Sequence, residues 1–474
     1  MTMMLEIPDA LKTMFAPLTK LIACAAGQVE RAGRGGSAQY ESFEKEVAEM
    51  SAAVERSAHQ AALSALDVDA SKVLINGVLH ARVGRYETTF MAQPGEVPVM
   101  RSLYRRVGER NAAVVDLVSL RAGAVEGVWL PGAARDMAYL LQQGTSREAE
   151  ATARELGRLP YSRSSFEHVG HAVGAAYVDE HQRIEQMLIE AFVVPRSVRG
   201  ISVSLDRVSV PMEEPLARAP GRPRQGAPKR PIARVYRMAY CATVTLHDAE
   251  GEAVHTIRYG TMPAGDPRAL CEGLASDVLA LLDKRRRLLV TLLCDGAPEM
   301  WNLLDEAFDA ETFRGIAVHR LIDFWHAIEK LAAAAKVVLA KEDAAGLVAR
   351  WKLAMLNHSA AHGAILRELV GSGKEHVRFG DAKPVHDAIT YLTNNASRMN
   401  YAAARREQRP IGSGNVEATC KSLVGIRMKR PGSRWKTDTG EHIVHIRALA
   451  LSDRWTDAMD ITLRAPRASI RVAA

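Results

Sequence analysis

The strongest constraint in this sequence is a short apolar run that ends in an acid. Leu288–Cys294 is interrupted only by Thr291, which is typical of a strand buried on both faces of a sheet. Asp295-Gly296 then ends the strand, and Pro298 lies where the first turn of a helix tolerates a missing N–H. The pattern predicts a carboxylate at the carboxyl end of a central strand, where open α/β sheets carry their chemistry. On this segment alone, a simple helix cap is the favoured explanation of Asp295, and only the further acids Asp206 and Glu417 reverse that preference.

Composition limits the class of protein. The chain has 474 residues, of which 47% are hydrophobic and 25% charged, a balance typical of soluble globular domains. Its sequence contains no apolar run long enough for a membrane span and no N-terminal signal pattern. The five cysteines are scattered without a CxxC pair, so we expect a reducing, cytoplasmic environment and no structural zinc. A net charge of +7 favours a polyanionic partner.

The N-terminal part divides into three regions of different pattern. Residues 1–70 have the apolar spacing of helices, whereas residues 71–110 consist of short β-type runs separated by Gly and Pro. This second region predicts a small antiparallel module. Residues 111–195 are predicted to be a helical region.

Two capping boxes within that helical region favour a DNA-binding motif. The boxes run from Thr145 to Glu148 and from Ser164 to Glu167, and Gly157 lies between the helices that they would open. Two short helices across a tight turn are the outline of a helix-turn-helix. Arg163 would then lie near the start of the second helix, where DNA contacts are made. A plain helical hairpin is the alternative.

Residues 196–340 alternate between strands and helices, which predicts an α/β domain with a mixed sheet. Asp206 is expected to end the first strand. The predicted elements are strands at Ile201–Asp206, Val235–Leu246, Ala253–Tyr259, Leu288–Cys294 and Ile316–Val318, with helices at Asp266–Leu282, from about Ala297 and from Leu321 onward.

A basic segment separates the first two predicted strands. Residues 216–234 contain six Lys or Arg and no acid, and four prolines keep the segment extended. A solvated loop is the usual outcome for such a run, but its position after Asp206 favours a DNA-backbone role. The expected contacts are Arg222, Arg224, Lys229 and Arg230.

Residues 341–405 are predicted to be an all-helical insertion, and residues 406–474 to complete the α/β domain. A Gly-rich segment leads into a helix whose first turn contains Glu417, either as a metal ligand or as a partner of the helix dipole. The surrounding segment is strongly basic. Its expected DNA contacts are Lys421, Arg427, Lys429, Arg430 and Arg434.

Three acids are therefore predicted to lie near one edge of the sheet. Asp206 and Asp295 follow strands, and Glu417 begins a helix. Carboxylates that converge repel one another unless a cation joins them, and hard oxygen ligands favour Mg²⁺ or Mn²⁺. Two such ions can activate an attacking oxygen and stabilise a leaving one in phosphodiester displacement.

Several ordered motifs resemble the DDE transposases of bacterial insertion sequences, most of all the ISKra group, which is related to the Mutator-like superfamily. The similarity covers roughly residues 70–460. The segments that carry it are Val203–Pro211, Cys294–Ala297, His319–Leu331, Gly412–Glu417 and Arg427–Trp435.

The resemblance implies a ribonuclease-H-like catalytic domain with a helical insertion before the final glutamate. It implies that Asp206, Asp295 and Glu417 form the catalytic triad with two metal ions, and that Asp323 and His326 match an accessory Asp-x-x-His pattern. The implied activity is cleavage at transposon ends and joining of the freed 3′ hydroxyl to target DNA. The implied partners are double-stranded DNA and at least one further copy of the chain.

Two other functions stay open. A catalytically silent, domesticated relative would keep only the DNA-binding surface, although the intact Asp, Asp, Glu set favours an enzyme. Another nuclease of the same fold, such as a resolvase, is disfavoured by the long helical insertion and the N-terminal DNA-binding region.

Overall fold

The computed structural model of the chain describes residues 6–33, 40–215, 232–339 and 341–473. The chain divides into two compact units, Met1–Glu180 with Thr456–Ala474, and His181–Trp455. Each contains one five-stranded sheet together with helices, so the α/β class is confirmed. None of the described helices combines the length and apolar character that a membrane crossing requires.

The elements that precede residue 181 are six helices and four strands, after a short 3₁₀ turn at Asp9–Met14. They are α1 (Phe15–Gly33), α2 (Tyr40–Ser64), β1 (Lys72–Ile75), β2 (Val78–Ala92), β3 (Gly95–Arg106), β4 (Val114–Asp116), α3 (Leu117–Ala122), α4 (Pro131–Gln143), α5 (Ser146–Glu155) and α6 (Arg163–Asp179).

The elements that follow build the second unit, and the chain then returns to the first. They are α7 (His181–Ala191), β5 (Gly200–Pro215), β6 (Ile232–His247), β7 (Ala253–Thr261), α8 (Pro267–Lys284), β8 (Leu289–Cys294), α9 (Pro298–Ala307), β9 (Val318–Ile322), α10 (Phe324–Val338), α11 (Lys341–Asn357), α12 (Ala361–Gly371), α13 (Pro384–Asn394), α14 (Tyr401–Arg406), α15 (Gly414–Thr419), α16 (Ile426–Met428), α17 (Thr437–Leu451), α18 (Trp455–Thr462) and β10 (Ile470–Val472), with a π-helical turn at Cys420–Gly425 and a 3₁₀ turn at Ala396–Arg398.

The first sheet is antiparallel throughout, with strand order β10-β1-β2-β3-β4. Its centre is the long hairpin of β2 and β3, which closes at Ala92 opposite Gly95. The antiparallel module expected at 71–110 is therefore present. The sequence patterns missed β4 and β10, because each is only three residues long and is defined by pairing with a longer neighbour.

One of the two expected capping boxes is correct. The Thr145 side chain accepts from the Glu148 backbone N–H, and the Glu148 carboxylate accepts from the Thr145 backbone N–H. The second box is wrong, because α6 has Ser162 as its N-cap, which accepts from Ser165 N. The connection of α5 to α6, residues 156–162, is longer than the turn of a helix-turn-helix. That interpretation stays a prediction.

The second sheet has strand order β7-β6-β5-β8-β9. The pairs β5–β6 and β6–β7 are antiparallel, whereas β5–β8 and β8–β9 are parallel. One large core of buried residues includes β5, β8, α8 and α9 and continues into the helical insertion. A smaller core joins β5, β6 and the π-helical turn to α17. The mixed sheet predicted for this region is confirmed, with apolar layers packed against it.

Two predicted strand boundaries are wrong. β5 continues past Asp206 to Pro215, because β6 pairs with it along the whole length, so only the parallel neighbour β8 stops at this level. The strand expected at Ile316–Val318 is β9, Val318–Ile322, and its helix begins at Phe324. The polar residues His319 and Arg320 interrupt the apolar pattern that would have indicated this strand, although both are paired to β8.

Asp277 on α8 gives the second unit a pH-dependent stability. Its side chain is 7% exposed and accepts a hydrogen bond of 2.6 Å from the Tyr259 hydroxyl. Burial, with the nearby charge of Glu185, raises the pKa of Asp277 from 3.8 to about 7. The unfolded chain therefore releases this proton at lower pH than the folded one. Its contribution to stability is fully present below pH 3.8 and is lost as pH rises through about 7.

We expect Asp277→Asn to stabilise the protein at about pH 8 by on the order of 2 kcal/mol, because the amide keeps an acceptor for Tyr259 without a buried charge. The difference from wild type should shrink towards pH 4. Urea unfolding at several pH values measures it. Asp283→Asn, an exposed change on the same helix, is the matched control. A gain for Asp277→Asn that does not change with pH would contradict the explanation.

Candidate active site

The pairing of β5 with β8 places Asp206 beside Asp295. The register runs from Gly200 opposite Leu289 to Val203 opposite Leu292, and continuing it by three residues brings the two aspartates level. The Cys294 thiol holds this end together, since it accepts from Leu205 N and donates to Leu205 O at 3.2 Å each. Burial raises the pKa of Cys294 far above its usual range, so the thiol stays protonated.

Asp295 is not a helix N-cap in the structure. Ala297 holds that position, and α9 begins at Pro298 as expected. The Asp295 carboxylate instead accepts from Ala297 N at 3.0 Å through Oδ1, and the Asp295 carbonyl accepts from the Trp301 indole at 2.7 Å. These bonds fix the turn directly after β8. They orient the carboxylate on the rim of the sheet, which is the edge at which β8 ends, and there it is half-buried.

Glu417 reaches the same rim from α15. As predicted, it lies in the first helical turn, and its side chain is 53% exposed. Three residues later, on the same helical face, the Cys420 thiol donates to Asp206 Oδ2 at 3.4 Å. Contact with Cys241 and burial raise the pKa of Cys420, so it remains a hydrogen-bond donor. Asp206 on β5 and Glu417 on α15 therefore lie on the same side of the sheet's edge, with Cys420 between their segments.

Asp323 is a buried residue that contacts both α10 and the loop before α15. It is 1% exposed and caps α10, with Oδ1 accepting from His326 N at 2.8 Å. Oδ2 accepts from Ser413 N, in the loop that leads into α15. Burial opposes ionisation, but the contact with His326 and these backbone donors lower the pKa of Asp323 to about 2. Its oxygens are therefore engaged in fixing two elements.

His326 bridges Asp323 and Glu417. Its Nδ1 lies 3.3 Å from Asp323 Oδ1 and 3.6 Å from Glu417 Oε1, and it makes no aligned hydrogen bond within the described residues. The contact is therefore mainly one of charge. Proximity to Asp323, together with the charges of Glu417 and Asp295, raises the pKa of His326 to about 9. A protonated imidazole neutralises part of the negative charge that the carboxylates bring together.

Asp323, His326 and Glu417 form the one candidate cation cluster found among the described residues, with ligand atoms within 4.8 Å of one another. Asp206, Asp295 and Glu417, the triad that the family resemblance implies, do not approach to that spacing. Asp206, Asp295 and Glu417 offer the carboxylate oxygens that a hard cation prefers, although their side chains do not surround one ion position in this structure. His326 fits less well, since it must lose its proton before its ring nitrogen can bind a metal.

The basic residues expected to bind DNA fall into three groups. Arg222, Arg224, Lys229 and Arg230 lie outside the described residues. The two flanking strands are described. β5 and β6 remain paired as far as Pro215 and Ile232, about 30 Å along the strand from Asp206. Arg163 is exposed in the first turn of α6.

The third group follows Glu417. Lys421, Lys429 and Arg434 are exposed, and Arg430 is half-buried. Arg427 is instead 5% exposed and lies over the Trp435 ring at 4.9 Å, so its guanidinium packs within the protein. Trp435 also bonds to the backbone of Pro211 and Glu213 in β5. The basic segment is therefore anchored alongside the protruding half of the β5–β6 hairpin.

Sequence reasoning missed four residues of this site. Cys420 and Cys294 contact the segment around Asp206, Tyr391 packs on Gly296, and Trp325 is 53% exposed beside Gly412. The only available signal was the spacing of Cys420 three residues after Glu417. The other three are placed by tertiary contacts between segments far apart in the chain.

No family model and no curated protein match this chain. A structural similarity exists to the Drosophila P element transposase strand transfer complex, covering 68% of this chain and 79% of that chain. Its sequence identity is 11% and its TM-score is 0.25, a value too low to establish a shared fold.

Asp323→Ala is expected to destabilise the protein by about 2–4 kcal/mol, because it removes a helix cap and leaves the buried Ser413 N–H without its acceptor. Asp266→Ala is the matched control, since Asp266 caps α8 through Arg268 N and is exposed. We expect about 1 kcal/mol for that change. Urea unfolding compares the two variants, and amide exchange at Ser413 should accelerate only in Asp323→Ala. Equal costs and unchanged exchange would remove the tethering role.

Proposed function

We propose that this protein is a DNA transposase that performs metal-dependent phosphodiester cleavage and strand transfer at the ends of an insertion sequence. The observation that carries the proposal is the level placement of Asp206 and Asp295 on adjacent parallel strands, with Glu417 approaching the same rim. Glu417 is 122 residues beyond Asp295 in the chain. A purely structural role for these acids does not explain why distant segments bring them to one edge.

The topology supports a ribonuclease-H-like catalytic core. Three antiparallel strands are followed by two parallel ones, and the order β7-β6-β5-β8-β9 puts β5 in the centre with β8 beside it. Helices α10 to α14 come between β9 and the helix of Glu417, which agrees with an all-helical insertion before the last acid. Such a core presents its carboxylates where β5 and β8 lie side by side.

In this proposal Asp206, Asp295 and Glu417 hold two Mg²⁺ or Mn²⁺ ions. When bound, such ions lower the barrier for attack on a phosphodiester and for departure of the leaving oxygen. Asp323 positions α10 and the loop before α15, as its two backbone hydrogen bonds support. His326 holds Glu417 by charge, and bound cations would supply that positive charge in its place. Cys420 orients the Asp206 carboxylate.

The proposed DNA path uses the basic surface around this rim. Arg222, Arg224, Lys229 and Arg230 lie in the stretch of sequence that joins β5 to β6, and the segment with Lys421, Lys429, Arg430 and Arg434 is anchored on β5 through Trp435. Arg163 would contribute from a helix-turn-helix-like region in the other unit. Holding two transposon ends and a target requires at least a homodimer in the active complex.

Asp295→Asn should abolish Mg²⁺-dependent nicking of the element's end sequences and leave DNA affinity within about twofold, because one metal ligand is lost while the basic surface is unchanged. Gel mapping of nicks and fluorescence anisotropy measure the two properties. Asp343→Asn, an exposed change on α11, serves as control. Wild-type-like cleavage by Asp295→Asn would refute the assignment of the site.

A catalytically silent DNA-binding protein is the second candidate. It is favoured by the ion pair of His326 with Glu417, which occupies an oxygen that a metal needs. The same experiment separates the two functions, because a silent protein binds the end sequences and leaves them uncut with either Mg²⁺ or Mn²⁺.

Replacing Arg222, Arg224, Lys229 and Arg230 with Gln should weaken DNA binding and reduce the slope of log affinity against log salt by about 3–4, since each phosphate contact contributes about 0.9. Arg286→Gln with Arg287→Gln, two exposed changes just before β8 at the opposite end of that strand, is the control. Its slope should equal that of wild type. An unchanged slope in the variant with all four replacements would indicate that the segment is a solvated loop without DNA contacts.

A further inference from the structure

A cavity of about 610 Å³ opens directly behind the catalytic rim. Its walls come from the turn after β8, from α9 and α10, and from α13 with the 3₁₀ turn that follows. The residues that matter here are Gly296, Asn302, Lys330, Tyr391, Asn394 and Arg398. Its volume is in the range of small-ligand sites and far below that of a duplex.

The cavity borders the active site at two points. Gly296, next to Asp295, packs so closely on Tyr391 that a Cβ there would lie 2.3 Å from the ring. Lys330 lies one helical turn after His326 on the same face of α10. The cavity therefore begins next to Asp295 and within one helical turn of His326.

The polar groups in the cavity match the parts of a nucleotide. Lys330 is exposed and supplies a mobile positive charge, and Asn302 and Asn394 expose amide groups that donate and accept. The Tyr391 hydroxyl is buried and makes no hydrogen bond within the described residues. Burial, with the charges of Asp295 and Asp323, raises the pKa of Tyr391, so this hydroxyl stays protonated beside the Gly296 backbone.

The cavity offers no open aromatic face for stacking. Trp301 is 1% exposed, and the Arg398 guanidinium lies 4.4 Å from the centroid of its ring. Arg398 is itself fixed by an ion pair of 2.8 Å with Asp305. Recognition in this cavity must therefore depend on charge and hydrogen bonds rather than on base stacking.

We propose that this cavity binds the single-stranded DNA that continues past the scissile phosphate, with one or two nucleotides held between α10 and α13. This inference rests on the proposed function and adds a site for the unpaired strand. Lys330 contacts a phosphate, and Asn302 and Asn394 contact base edges. The site then favours DNA ends that carry an overhang over blunt ends.

The test compares a blunt duplex with the same duplex carrying a short single-stranded overhang, both fluorescently labelled, by anisotropy at several salt concentrations. Wild type should bind the overhang duplex more tightly. Lys330→Ala should lose about tenfold in affinity for the overhang duplex only. Its salt slope on that duplex should fall by about 0.7, the value for one single-strand phosphate.

Lys336→Ala is the matched control, because Lys336 is exposed on the same helix and does not line the cavity. It should bind both duplexes like wild type. Asn394→Ala, at the exposed end of α13, gives a second test without a change of charge and should also lose affinity for the overhang duplex alone. Thermal unfolding confirms that each variant is folded.

Two outcomes would overturn the inference. Lys330→Ala and Asn394→Ala could bind the overhang duplex as wild type does, or they could lose affinity for both duplexes equally, which would indicate general backbone attraction. If wild type binds neither duplex, the proposed function fails as well. If wild type binds and cleaves DNA but the variants behave normally, only the cavity assignment fails.

Discussion

The parallel pairing of β5 with β8 is the constraint on which the second unit depends. It aligns Asp206 with Asp295, and it is fixed by buried residues on both strands rather than by the acids themselves. A slip of one residue would send every side chain of β8 to the opposite face of the sheet. The buried pattern of Leu292, Leu293 and Cys294 makes such a slip costly, so the position of the carboxylates is a consequence of core packing.

Bringing several carboxylates to one rim costs electrostatic free energy, and the surrounding groups offset it. Asp323 accepts two backbone hydrogen bonds, Asp206 accepts from the Cys420 thiol, and Glu417 lies beside the His326 imidazole. These partners differ in kind. The bonds to Asp323 come from backbone groups of two elements, whereas the contact of His326 with Glu417 is one of charge.

The sequence predicted much of this arrangement and failed for identifiable reasons. The apolar run before Asp295 was sufficient for β8 and the helix after it, since a strand buried on both faces leaves a continuous pattern. It failed at β9, where His319-Arg320 breaks that pattern, and at β5, where pairing with β6 extends the strand past Asp206. Contacts such as Tyr391 with Gly296 could not be foreseen, because no local pattern records which distant helix a turn will meet.

Two backbone contacts position Glu417 despite the long segment that precedes it. The chain leaves the sheet through α10 and returns beside it, where Phe324 N donates to Ile411 O at 2.9 Å and Ser413 N donates to Asp323. The segment that returns from the insertion is thus fastened to the start of α10, where the chain left the sheet. Closing a long loop costs only slightly more than closing a short one.

The insertion also offsets its own ordering cost by packing. Buried residues Trp351, Leu369 and Leu392, from its three main helices, belong to the same core as β8 and α10. It is therefore a continuation of the second unit rather than a separate body. Its last helix, α13, supplies the ring on which the Asp295-Gly296 turn packs. Any side chain at position 296 would push α13 away, so glycine there allows the insertion to form one wall of the site.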